Sequence, residues 1–215
     1  MRTYTITKSD LNDNNEYIGK TDLSHYDGNL EADESLGQIK INSIRVKGYI
    51  YFKAGGSIKA GGWIKAGEWI KADGSIKAGG WIKAGEWIKA GGSIEAGKWI
   101  KADGSIKADG SINAGWSITA GEEIKAGWGI KAGLSIKCEW ISSELRIFAG
   151  LVLWRIPIAE EMQIVCEELR NGEVCYGELV ITKKQKPKLV KIVCEGKEIE
   201  ISRESAIALN LITNA

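Results

Sequence analysis

The chain has 215 residues, with 29 Lys or Arg, 28 Asp or Glu and a single His, so its formal charge is near zero. That balance excludes a global acidic DNA mimic and a strongly basic histone-like binder. A hydrophobic fraction of 44% is enough for a core, and 27 Gly beside only 2 Pro fit neither collagen nor a Pro-rich disordered chain.

The opening MRTYTITKSD has no apolar leader core, and no apolar run reaches about 18 residues. The expectation is a soluble, unexported, cytoplasmic protein. Residues 1–51 read as an N-terminal cap and a degenerate first coil. A Thr-rich strand, YTIT, and the turn-rich LNDNNEYIGKTDLSHYDG are expected to lie over the open end of a coiled repeat region. Within SLGQIKINSIRVKGYIYF, residues Ile39, Ile41, Ile44, Val46 and Ile50 form an irregular version of that repeat. His25, in the polar stretch, is read as a surface residue rather than a chemical one.

Residues 52–141 repeat every six positions. Isoleucine recurs without a slip from Ile58 through Ile64, Ile70 and onward to Ile136, and Ala stands two residues after each Ile until Cys138 closes the series. Ile-Lys-Ala alternates in, out, in, which is the signature of a strand. Gly or Asp then supplies a turn, where Gly is expected for the backbone conformations it tolerates. The residue before each Ile reads Ser57, Trp63, Trp69, Ser75, Trp81, Trp87, Ser93, Trp99 and Ser105, with serine returning every third hexad. The corner residues agree, because Glu68 and Glu86 are one such period apart. The fold class is therefore mainly β: a three-sided β-solenoid of about 18 residues per coil. Five turns at about 4.8 Å give a rod roughly 24 Å long.

Residues 142–181 lose the hexad in LRIFAGLVLWRIPI, MQIVCEEL and VCYGELVIT and read as a C-terminal β cap. Residues 182–188 look like a linker. Residues 189–215 read as a hairpin turning at Glu195-Gly196 and a short helix with Ser202 as N-cap, a ββα appendage. Cys138, Cys166, Cys175 and Cys194 lack metal-ligand spacing, so reduced and mostly buried thiols are expected.

No catalytic set stands out, and no cofactor or metal is expected. Hexapeptide-repeat acyltransferases share an aliphatic residue every six positions, but they place a small residue two positions before it, where this chain has Gly56, Glu68, Glu86 and Lys98. They also use a histidine base, and the repeats contain no His. Glu122-Glu123 and Glu160-Glu161 are read as solvated charges.

The outward residues carry more information. An 18-residue coil stacks Trp63, Trp81 and Trp99 on one side with Lys65, Lys83 and Lys101 beside them, and Trp69 and Trp87 with Lys71 and Lys89 on the next. Residues 53–137 hold 13 Lys against 8 acids, a balance of +5, while the parts before and after each come to −2. Two accounts stand side by side. Lys stems and cation–π contacts could shelter copied Trp residues. Alternatively, exposed aromatic columns rimmed with cations form a binding surface. Trp128, Trp140 and Trp154 fall outside the columns and are expected at corners or in the cap.

The Ile-Lys-Ala-Gly-x-Trp/Ser hexads, YDGNLEADESLGQIKINSIRVKGYI before them and LRIFAGLVLWRIPIAEEMQIVCEELRNGEVCYGELVI after them resemble Ala-Gly-Ile-repeat proteins of bacteriophages and mobile elements of Gram-positive bacteria. The likeness covers about residues 26–181. It implies an anti-defence role, such as an anti-CRISPR protein that binds and blocks an effector complex, and carries over no catalytic residue. The leading expectation is a non-enzymatic inhibitor of a protein or nucleoprotein partner, acting through its Trp/Lys faces or its C-terminal appendage. Rival readings are a self-assembling scaffold resembling bactofilins and a nucleic-acid-binding solenoid. No membrane partner is expected, and a homodimer stays open.

Overall fold

The computed structural model describes residues 1–34, 36–182, 189–194 and 197–202, the last two stretches as backbone. It divides into a unit Met1–Thr182 and a unit Lys183–Ala215.

The first unit is a three-sided parallel β-solenoid. Its first side runs through Gly28–Ala32, Ile50–Phe52, Ile70–Ala72, Ile88–Ala90, Ile106–Ala108 and Glu123–Ala126. The second side runs through Gln38–Ile41, Ser57–Ala60, Ile76–Ala78, Ile94–Ala96, Ile112–Ala114 and Ile130–Ala132. The third has eight strands: Ile44–Val46, Ile64–Ala66, Ile82–Ala84, Ile100–Ala102, Ile118–Ala120, Ile136–Lys137, Gln163–Cys166 and Glu178–Ile181. Register follows the sequence period, with Ile82 beside Ile64 and Ile100, and Lys83 beside Lys65 and Lys101.

Alternation explains the core. Each repeat isoleucine from Ile58 to Ile136 is fully buried, and each following Ala is nearly so. The ladder between coils is closed by bonds such as Ile64 N–H to the Trp81 carbonyl at 3.0 Å and Gly79 N–H to the Ala60 carbonyl at 3.0 Å. An isolated hexad has no partner for these groups, so the repeat is stable only as a stack.

Glycine works here by its size. Among the described residues the positive-φ glycines are Gly37, Gly55, Gly150, Gly172 and Gly177, and none lies between Ile58 and Ile136. A Cβ on Gly79 would lie 2.2 Å from the Gly61 carbonyl oxygen one coil away. The expectation of special turn conformations is thus corrected to one of close backbone approach. Asp73, Asp103 and Asp109 occupy the equivalent position of their hexads, so glycine does not fill it in every repeat.

The coil also extends beyond residues 52–141. The eight-stranded third side gives eight rungs rather than five, about 34 Å from first to last at the usual strand spacing. At the N-terminal end Ile44 faces Ile64, a lap of 20 residues, because an extra turn at Lys53–Gly56 holds Ala54 at φ 48° and Gly55 at φ 77°. Arg2–Ile6 pairs with Gly28–Ala32, while Glu16 bridges Lys40 and Tyr26 bridges Val46, so the polar N-terminal stretch closes this end by adding to all three sides. Asp10 pins it by accepting from the Thr7 N–H at 2.9 Å and the Tyr4 hydroxyl at 2.9 Å, and the Thr7 bond above all holds its carboxyl below the ordinary aspartate value.

At the other end the hexad disappears while the coil continues. Trp140–Phe148 turns a corner, pairing first with Glu123–Ala126 and then with Ile130–Ala132, which fuses the first and second sides into one 15-stranded sheet. Ile136 then faces Ile164, 28 residues on, because residues 149–162 leave the coil as an excursion. Cys138 and Cys166 are buried on successive rungs and Cys175 is exposed, so burial holds for two of the three described cysteines. Burial pushes the Cys138 thiol up to about 12. The side chain of Cys194 lies outside the described residues.

In the second unit, Leu189–Cys194 and Lys197–Ser202 form an antiparallel pair with Leu189 opposite Ser202. Of the linker expected at 182–188, Thr182 still donates its N–H to the Cys166 carbonyl at 2.8 Å. Residues 183–188, the turn expected at Glu195-Gly196 and the helix expected after Ser202 lie outside the described residues.

Candidate interface on the third side

The position before each isoleucine separates the three sides. On the second side it is serine, and each hydroxyl accepts the backbone N–H one coil on: Ser75 N–H to Ser57 Oγ at 2.9 Å, Ser93 N–H to Ser75 Oγ at 3.1 Å and Ser111 N–H to Ser93 Oγ at 3.1 Å. These serines serve the fold.

On the third side the same position carries Trp63, Trp81 and Trp99. Their rings stack at centroid distances of 6.0 and 4.8 Å, within 11° of parallel. On the first side Tyr49, Trp69 and Trp87 stack at 4.3 and 4.9 Å. Both columns expected from the sequence therefore exist, and the first begins one rung earlier, at Tyr49. Its phase is hidden in the sequence by the two extra residues at the Lys53–Gly56 turn.

Exposure differs from expectation. Trp63 is 38% exposed and Trp69, Trp81, Trp87 and Trp99 are half-buried, since each ring lies against its neighbours. The columns present ring edges along their length, with free faces only at their ends. The sheltering account also needs correction. The described cation–π contacts lie elsewhere: Lys53 and Lys71 on Tyr51, Lys98 on Trp116 and Arg170 on Trp140. Rings cover rings, and among the described residues no lysine ammonium stands over these columns.

The cations of the two sides then diverge. On the first side Lys53 binds Glu31 at 2.9 Å, Lys71 donates to the Tyr51 hydroxyl at 3.1 Å and stands 3.7 Å from Asp73, and Lys107 pairs with Glu123 at 2.7 Å. The Lys53 hydrogen bond, with help from the Tyr49 hydroxyl, holds the Glu31 carboxyl below its ordinary value. On the second side Lys77 pairs with Glu95 at 2.6 Å. Lys89 and Lys125 on the first side and Lys59 and Lys131 on the second have no ion pair among the described residues, so these two sides are paired in part. On the third side Arg45, Lys65, Lys83 and Lys101 follow one another in register, and none has an ion pair among the described residues. Like charges about 4.8 Å apart repel by up to about 0.9 kcal/mol per pair in water before salt screening.

Two tryptophans missed by the column pattern complete the picture. Trp140 stands in phase with the first side, not at a corner, and carries the Arg170 guanidinium over its ring. Trp116, at a corner, faces Trp154 of the 149–162 excursion at 6.4 Å. Trp128 is exposed at its corner. His25 is exposed and contacts Ser24 through Nδ1 at 3.0 Å. Among the described residues no group of three or more His, Cys, Asp or Glu could hold a metal ion. No helix among them is long and apolar enough to cross a membrane.

These features define a three-sided β-solenoid with one hydroxyl-laddered side and one aromatic side whose strand cations have no ion pair among the described residues. No protein-family model, curated protein or solved structure matches the chain.

Proposed function

We propose that the protein is a non-enzymatic binding protein whose third side docks on a protein or nucleoprotein partner and obstructs it. The observation that carries this reading is the in-register run Arg45, Lys65, Lys83 and Lys101 beside the Trp63–Trp81–Trp99 stack, cations left without acids on a chain that supplies acids to its other sides. Rigid indoles flanked by cations lose little side-chain entropy on binding and meet acidic surfaces. The resemblance to phage and mobile-element repeat proteins extends the reading to an inhibitor of a bacterial defence complex of the anti-CRISPR type, acting in the host cytoplasm. Capture of partners from bacterial lysate by the native chain, but not by a variant with Trp63, Trp81 and Trp99 changed to Ala, supports it; identical capture by both removes the third side from the account.

A second reading, nucleic-acid binding, draws on the same unpaired cations. It is less favoured because sequence-tolerant base stacking needs open ring faces and these columns offer mostly edges. It requires retention of single or double strands that falls steeply with salt.

A further inference from the structure

We propose that a notch on the first side, below Trp87, binds the guanidinium of an arginine side chain presented by a partner protein. This does not rest on the third-side interface, because the notch lies on another side and its test needs no partner.

The notch arises where the aromatic column stops. After Tyr49, Trp69 and Trp87, the next rung of that position is Ser105. The corner before it, which holds Glu68, Glu86 and Glu122 on neighbouring coils, is Gly104 there. Two small residues in succession leave the far face of Trp87 without an aromatic neighbour. They open a groove of about 800 Å³ lined by Trp87, Glu86, Lys89, Asp103, Ser105 and Glu122. Glu122 reaches up from the coil beyond, its Oε2 accepting from Ser105 Oγ at 2.8 Å and lying 3.7 Å from where a Cβ on Gly104 would be. The groove therefore has an indole for one wall and a carboxylate for the other.

Charge selects the ligand. Lys71 and Lys107, which also border the groove, are held by Asp73 and Glu123. The lining carries three lysines and three carboxylates, and with Lys71 and Lys107 turned to Asp73 and Glu123, Lys89 is the one lining cation left to Glu86, Asp103 and Glu122. A guanidinium is flat enough to stack on the indole and forked to meet a carboxylate, whereas an ammonium has no planar face and a phosphate would meet the carboxylates.

The same side already holds one such arrangement. The Arg170 guanidinium carbon lies 4.5 Å from the Trp140 ring centroid, with Nη1 3.8 Å from Glu123 Oε1 and Nε 3.5 Å from Glu168 Oε2. There the chain supplies the indole, the carboxylates and the cation. At Trp87 it supplies the indole and the carboxylates, and no described cation sits over the ring.

The test follows the Trp87 indole N–H by NMR in the full chain, assigned with Trp87→Phe, during titration with N-acetyl-arginine amide, N-acetyl-lysine amide and adenosine monophosphate. The expected result is a saturable shift with the arginine compound at roughly tenfold lower concentration than with the lysine compound. It should vanish in Ser105→Trp, which fills the rung, and weaken several-fold in Glu122→Gln. No saturable shift with the arginine compound, tighter binding of the nucleotide, or unchanged arginine binding in Glu122→Gln overturns the proposal.

Discussion

The second and third sides of the coil share one core and differ in the residue before the isoleucine, serine from Ser57 to Ser111 on the second and tryptophan from Trp63 to Trp99 on the third. They differ also in the pairing of their cations. The second side spends that position on serine, whose hydroxyl accepts an N–H from the next coil, as in Ser93 N–H to Ser75 Oγ at 3.1 Å. The third side places tryptophan there, stacked at 4.8 to 6.0 Å, and lines up cations beside it. Gly precedes every serine of the ladder, because a Cβ on Gly92 would lie 2.3 Å from Ser75 Oγ. On the third side Gly62 and Gly80 still precede Trp63 and Trp81, but Lys98 stands in that place before Trp99. One side is thus committed inward to the backbone, while the other keeps polar and aromatic surface available.

The comparison can be broken at its common part or sharpened at its differences. The largest effects belong to the shared core: Ile94→Ala on the second side and Ile82→Ala on the third should each cost about 2–5 kcal/mol in chemical denaturation. A large disparity between them would show that the sides are not built alike. Next comes Trp81→Ala, which removes two ring stacks worth about 0.5–1.5 kcal/mol each. Its loss of stability should be accompanied by loss of partner capture at temperatures where the variant is fully folded. Ser93→Ala removes one acceptor and should cost about 1 kcal/mol while leaving capture unchanged. Smallest and opposite in sign is Lys83→Glu. Replacing the cation between Lys65 and Lys101 should raise stability by a few tenths of a kcal/mol at low salt, with the gain fading as salt rises, and should weaken capture. A destabilised Lys83→Glu would mean that the lysine run serves the fold.

Much of this was legible in the sequence because the core repeats without a slip. The isoleucine phase, the alanines two residues on and the serine at every third hexad fix a three-sided lap, and with it the two tryptophan columns. What could not be read depends on neighbours that the period does not carry. The coil continues past residue 141, but the Trp140–Phe148 strand shortens one lap and the 149–162 excursion lengthens the next, so buried Ile147 and Ile164 fall out of phase. Tyr49 heads a column that the Lys53–Gly56 turn displaces by two residues. The allocation of acids to sides was equally hidden: Glu31 reaches Lys53 and Glu123 reaches Lys107 only because of where the laps bring them. That allocation is what singles out the third side, and the end of a column at Ser105 is what makes the notch beside Trp87.

Vertical adjacency of residues one lap apart underlies every part of the account, and paired cysteines test it most directly. In a Cys175→Ser background, Lys65→Cys with Lys83→Cys places two thiols on neighbouring parallel strands, whose usual separation of about 4.8 Å lies within disulfide reach. Lys71→Cys with Lys83→Cys places them on different sides. The account predicts rapid oxidation of the folded chain to an internal disulfide in the first pair and none in the second. The reverse outcome, with the 12-residue spacing bridged and the 18-residue spacing left reduced, would contradict it.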